Sequence, residues 1–252
     1  MAITRYTSDP DVKLLWGLSA GRCAFPDCRV ECTADATAAD PAVVLGEMAH
    51  IVGHSDTGPR GDPAFPKDRR GAYENLLLLC TPHHTRVDKQ QNSFTVADLR
   101  TWKSDHEAWV RSQLANEIPR VGFAELEVVM KALVAVPSPP NESFVVTPPA
   151  AKMLKNGLSD QVRLTLQMGL AGSSEVERFV EHVAVMDAAF PERVRAGFLS
   201  KYNELRGANV SGDTLFLSLC DFAAGGAQAL PRQAAGLAVL GYLFMKCEIF
   251  ER

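Results

Sequence analysis

The chain has 252 residues, enough for one large or two modest domains, and 46% hydrophobic with 22% charged residues is an ordinary globular composition, not a disordered or fibrous one. No apolar stretch reaches the length of a membrane span and residues 1–11 hold no apolar signal core, so a cytoplasmic protein with no membrane association is expected. A net charge of -4 argues against a uniformly basic nucleic-acid clamp, and six cysteines in such a chain point to metal binding and buried thiols rather than disulfides.

Residues 11–20 predict a short helix, apolar at Val12, Leu15, Trp16 and Leu18, with Asp9 or Asp11 near its start and Gly21 at its end. Cys23 and Cys28 follow as a Cys-x4-Cys knuckle. Stretches 29–33 and 43–51 are strand candidates joined by a polar loop over 34–41, and together they predict a β-hairpin. Residues 52–73 are rich in Gly, Pro and charge and read as a loop; one of about twenty residues inside a domain is usually functional. Arg60, Lys67, Arg69 and Arg70 cluster in it, either as contacts for a phosphodiester or as a solvated surface.

The stretch from Glu74 to Asp88 organises the rest. Leu76 to Leu79 form an apolar run that must be buried, and it ends in Cys80. Pro82 is tolerated in a first helical turn, so a short helix is expected after it. Cys80 and His83 make a Cys-x2-His pair. Joined to Cys23 and Cys28, they fit a closed tetrahedral Cys3His zinc site, with Cys32 as an alternative to Cys28. Unrelated buried thiols are the competing reading. His84 and Asp88 stand at i and i+4 on one helical face, a spacing that suits two ligands of one ion, while His83 points elsewhere. Beyond it, Thr95 with Asp98 forms a capping box for a packing helix that carries Leu99, Trp102, His106, Trp109, Val110 and Leu114. His106 reads there as a structural or exposed histidine, and His54 as either a residue with a substrate or loop role or a plain surface residue.

Residues 124–136 predict one more helix, and Pro-rich 136–149 a linker. From 150 onward the pattern is helical: 151–156, 160–170, 174–190 with a capping serine, 192–206, 213–224 and 231–249, the last apolar on most faces. Cys220 and Cys247 read as buried thiols. Five of the six histidines, His50, His54, His83, His84 and His106, lie in the first 110 residues, so chemistry is expected in the N-terminal part.

The Cys23/Cys28 knuckle, the Glu-x-Ala-His-Ile stretch from Glu47 to Ile51, Asn75, and Cys80-x2-His83-His84-x3-Asp88 together resemble the HNH endonucleases, over about residues 11–118. The resemblance implies an N-terminal zinc-stabilised ββα-metal domain at 1–118; with the pattern of the rest, the expectation is an α+β protein that continues through a helix and linker at 119–149 into an all-α interaction or regulatory domain at 150–252. It implies His50 as general base, Asn75 as the residue that orients the base or helps hold metal, and His84 as ligand of a catalytic divalent cation, Mg²⁺ or Mn²⁺, with Asp88 as a further ligand. Family members often carry a metal-binding Asp or His just before the base. Here that position is Ala49, and Glu47, on the same strand face, is the substitute. The zinc at Cys23, Cys28, Cys80 and His83 is implied to be structural. The implied substrate is DNA, with RNA open. A non-catalytic zinc-stabilised DNA-binding adaptor is the alternative. A net acidic chain with a separate helical domain suggests a nuclease in a prokaryotic defence (antiviral) or mobile-element setting, with a protein partner or homo-oligomer formed through the helical domain. The Cys247-Glu248-Ile249-Phe250 tail resembles the shared end domain of ABC three-component defence systems, which implies docking to an ATPase partner.

Overall fold

A five-residue run of four leucines and a cysteine can be buried along its whole length only inside a sheet covered on both faces. That run is β4 (Leu76–Cys80), whose four leucines are all buried. The computed structural model describes residues 9–134, 149–246 and 250. They are mixed α and β, mostly helical, with two small antiparallel sheets. The chain divides into two units, one ending at Val110 and the other beginning at Arg111.

In the first unit, α1 (Asp9–Leu18) buries Leu15 and Leu18 and packs on β4. β1 (Thr33–Ala34) and β2 (Val43–Val44) pair antiparallel, and β3 (Gly46–His50) pairs antiparallel with β4, Glu47 opposite Leu79 and His50 opposite Leu76. This corrects the expected hairpin: 33–34 and 43–44 make only a two-residue ribbon with β2 exposed, while the strand that ends in His50 pairs across the long loop with the leucine run. The leucines decide the pairing, because they bury far more apolar surface than 29–33 offers. α2 (Thr81–Lys89) leaves β4 directly, with Pro82 in its first turn, and packs on both strands of the β3–β4 sheet. The order strand, strand, helix therefore stands, with 51–75 between the strands. α3 (Val96–Glu117) starts at the expected box: Thr95 donates to Asp98 Oδ2 from its backbone at 2.8 Å and its hydroxyl at 2.7 Å, and Asp98 N donates back to Thr95 Oγ1 at 3.2 Å.

The second unit is helical among its described residues: α4 (Phe123–Val134), α5 (Pro149–Lys155), α6 (Asp160–Ala171), α7 (Ser173–Met186), α8 (Phe190–Gly207), α9 (Gly212–Ala224) and α10 (Leu230–Met245). α10 is the core helix, buried on most of its faces and packed on α4, α6, α7 and α9. It approaches α6 closely: a Cβ on Gly241 would lie 2.5 Å from the backbone carbon of Gly169. Two helix boundaries differ from expectation. The helix over 174–190 stops at Met186, and Phe190 opens the next. Its first turn is not capped by serine; Ser173 Oγ donates back to Leu170 O at 2.7 Å, whereas Ser159 caps α6 by accepting from Val162 N. Cys220 is half-buried as a residue, and burial pushes its thiol up, as a buried thiol requires. The linker expected at 136–149 lies outside the described residues up to 148, as do Cys247, Glu248 and Ile249 of the tail; Phe250 is buried against Phe244.

Candidate metal centre

Cys23 and Cys28 sit on a loop folded against the sheet. Cys23 N donates to Val30 O at 2.9 Å, Ala24 N to Leu78 O at 2.8 Å, and Cys28 N to Phe25 O at 3.1 Å. Asp27 and Arg29 take left-handed backbone conformations, φ 60° and 53°, which turn the chain tightly around Cys28. Cys80 ends β4 and His83 lies in the first turn of α2. The four ligand atoms lie within 4.8 Å of one another. His83 Nδ1 is 3.2 Å from Cys80 Sγ and 3.6 Å from Cys23 Sγ. A Cys3His tetrahedron with zinc–sulfur and zinc–nitrogen bonds of roughly 2.3 and 2.1 Å has edges of about 3.6–3.8 Å, so the four atoms need to close in by only about 1 Å at the widest. Thiolates and imidazole are the donors zinc prefers, so both chemistry and spacing fit a zinc-type ion. Burial pushes the Cys23 thiol up, and the neighbouring Cys80 and Cys28 add to it; a divalent cation offsets both effects. Burial and the Arg86 charge hold His83 below its ordinary value, in the neutral form a metal needs. Cys32, pushed up to about 12 by burial, is not a member of the cluster.

Phe25, inside the knuckle, stacks on the His83 ring at 3.9 Å and 2° between planes, and Trp102 meets its edge at 5.0 Å. Sequence reasoning missed this contact; an aromatic inside a Cys-x4-Cys loop is the signal that could have found it. It missed the bracing of the knuckle as well. Arg29 donates to His106 Nδ1 at 2.6 Å, and His106 Nε2 donates to Ser19 O at 3.1 Å, which fixes the imidazole as a neutral tautomer. Burial holds its pKa down at about 4.

One residue beyond His83, His84 turns to a different set of partners. Its Nδ1 is 3.2 Å from Glu47 Oε2 on β3, and its Nε2 is 3.8 Å from Asp88 Oδ2. The two ring nitrogens point away from each other, so a single ion takes one edge of the ring or the other. Glu47 and Asp88 therefore do not converge with His84 on one point, and among the described residues the Cys3His cluster is the one convergent group of three or more. Asp88 is also committed elsewhere: Oδ1 is ion-paired with Arg60 at 2.7 Å.

No family model matches this chain, and no curated protein matches it.

His50 ends β3 and is buried, at 8% exposure, with the His54 ring 5.2 Å away. Asn75 is buried too and spends its amide across the strand ends. Its Oδ1 accepts from Val52 N at 2.8 Å, and its Nδ2 donates to Val52 O at 2.9 Å and Arg70 O at 2.8 Å. Its carbonyl accepts from Ile51 N at 2.9 Å. The residue after His50 is thus held by the backbone of Asn75, and the next by its side chain.

The four basic loop residues separate into two pairs. Arg60 and Arg70 turn inward: Arg70 Nη1 donates to His54 O at 2.8 Å, and Nη2 to Asp62 O at 2.9 Å and to the Asp56 carboxylate. Lys67 and Arg69 stay exposed, and Arg69 lines a cleft of about 300 Å³ together with Phe65, Pro66, Glu74 and Asn75.

Proposed function

We propose that this chain is a metal-dependent endonuclease of the HNH type that hydrolyses phosphodiester bonds in DNA. The observation that carries this reading is the division of labour between adjacent histidines on α2. His83 belongs to a zinc-type cluster that ties the knuckle to the helix, while His84 meets Glu47 from the strand that ends in His50. A purely structural zinc module has no use for the second arrangement.

In this reading His50 removes a proton from the attacking water. The backbone just beyond it is fixed by Asn75, which positions the imidazole. His84 and Glu47 present a nitrogen and an oxygen 3.2 Å apart and would hold one Mg²⁺ or Mn²⁺ between them. When bound, the cation supplies Lewis-acid stabilisation of the charge that develops on the phosphate and the leaving oxygen. The exposed Lys67 and Arg69, the latter lining the cleft beside Glu74, would track the phosphate backbone. The zinc at Cys23, Cys28, Cys80 and His83 is structural, because a small ββα unit has little core of its own. We assign the helical unit to partner docking, self-association or regulation, in a prokaryotic defence setting; the exposed Val185 and Met186 at the end of α7 are consistent with such a surface.

Plasmid nicking in Mg²⁺ or Mn²⁺, comparing wild type with His50→Ala and with zinc quantified on both, tests the proposal. Cleavage abolished in the variant, at one zinc per chain in each, is expected. A zinc-replete wild type that binds DNA without cutting it, alone or with its co-purified partners, favours a binding adaptor instead.

A further inference from the structure

Arg60 is the most heavily engaged side chain near the candidate site. Its side chain is 4% exposed. Nε donates to Ile51 O at 3.1 Å, Nη1 to Val87 O at 2.9 Å, and Nη2 to His50 O at 3.0 Å and Asp88 Oδ1 at 2.7 Å. Two of these acceptors sit at the end of β3 and two at the end of α2. Val87 O belongs to the last turn of that helix, whose carbonyls lack intrahelical partners and carry the negative end of the helix dipole. One planar cation therefore caps α2 and clamps it to the strand that bears His50.

The loop is built to deliver this guanidinium. Arg60 holds a left-handed backbone, φ 54°, unusual for a residue with a side chain. Gly53 N donates to Arg60 O at 3.1 Å, and a Cβ on Gly53 would lie 2.3 Å from Pro59 O, so the loop closes only on glycine. Arg70 braces the same loop from inside through His54 O and Asp62 O.

We infer that Arg60 is the positioning residue of the candidate catalytic site: it sets the spacing between His50 on β3 and the His84–Asp88 edge of α2, and it makes no contact with phosphate. The inference rests on the nuclease reading above and deepens it. Asp88, ion-paired with Arg60, faces the far edge of the His84 ring at 3.8 Å and is not a cation ligand; Glu47 is. A guanidinium fork is required because a lysine ammonium cannot reach three carbonyls and a carboxylate on two elements at once.

The test uses the full-length, zinc-loaded chain and Arg60→Lys. Mn²⁺ binding, read from the paramagnetic resonance of free Mn²⁺ without DNA, is expected to weaken about 10–100-fold, the usual loss when a group behind a metal ligand is removed. Turnover should fall while KM stays unchanged. In Arg60→Gln, which removes the charge, the salt slope of DNA binding should stay unchanged; a phosphate contact instead lowers that slope by about one. A folded Arg60→Lys chain with wild-type Mn²⁺ affinity, or an Arg60→Gln chain with a reduced salt slope, overturns the inference. Should Arg60→Lys fail to fold, Asp88→Asn decides, since it leaves the three carbonyl bonds intact. Mn²⁺ affinity weakened about tenfold supports the inference, whereas affinity unchanged, or abolished as in Glu47→Gln, refutes it. A wild type whose Mn²⁺ site responds to Arg60→Lys but which cuts no DNA sinks the nuclease reading and leaves the inference standing. A wild type that binds no Mn²⁺ sinks the inference.

Discussion

Mild acid should unfold the N-terminal unit through His106. This ring is 1% exposed, donates from Nε2 to Ser19 O and accepts from Arg29 at Nδ1, so a second proton has no place to go. Burial, the first cause, and the Arg29 charge hold its pKa at about 4 against 6.5 in an unfolded chain. The sign follows: a depressed histidine contributes stability that is whole above pH 6.5 and is lost as the pH falls toward 4, because only the unfolded chain takes up the proton in that window. The shift corresponds to about 2 kcal/mol lost by pH 5 and about 3 kcal/mol in full below pH 4. His106→Gln keeps a donor for Ser19 O and an acceptor for Arg29 but does not titrate. Urea unfolding of zinc-loaded wild type and variant, followed by tryptophan fluorescence at pH 7.5 and pH 5, isolates the effect, since Trp16, Trp102 and Trp109 all lie in this unit. The variant should lose about 2 kcal/mol less than wild type between the two pH values. Equal losses in both would refute the reasoning and place the acid sensitivity in the metal cluster.

Three further outcomes follow from the packing. Chelation of zinc should abolish the fluorescence-detected fold of the first unit while helical circular dichroism from the second persists; loss of both signals together would contradict this. Asn75→Ala strands Val52 N, Val52 O and Arg70 O in a buried site, at about 1–3 kcal/mol for each group left unsatisfied, so a loss of at least about 3 kcal/mol in chemical denaturation is expected. Gly241→Ala drives a methyl into the backbone of Gly169 and should lower the melting temperature of the helical unit, with about 1–3 kcal/mol of overpacking cost and no change in bound zinc.

Much of the first unit could be read from residue order. A leucine run that stops at a cysteine, a proline and two histidines placed β4, the turn into α2 and half of a metal cluster, because burial, proline geometry and ligand spacing are all local properties. The Thr95–Asp98 box marked the start of α3 for the same reason. Strand pairing was not local. β3 finds β4 across 25 intervening positions, and nothing in 29–33 or 43–51 records that the leucines will compete for the pairing. The direction of a charged side chain is equally invisible in sequence. Arg60 and Arg70 share the loop and composition of Lys67 and Arg69, yet the first two are consumed by carbonyls and carboxylates inside the fold. The convergence of Glu47, His84 and Asp88 was over-read for a related reason. Spacing i and i+4 puts His84 and Asp88 on one face but does not say which ring nitrogen each acid meets. The serine expected to cap α7 failed because the helix starts one residue earlier, behind Gly172, which leaves Ser174 inside its first turn.

The most direct measurement compares His83→Ala with His84→Ala for bound zinc, fold and Mn²⁺-dependent plasmid cleavage. The account predicts that His83→Ala loses zinc and the fold of the first unit, whereas His84→Ala keeps one zinc and its melting profile and loses cleavage. An His84→Ala chain that cuts DNA at the wild-type rate would contradict it.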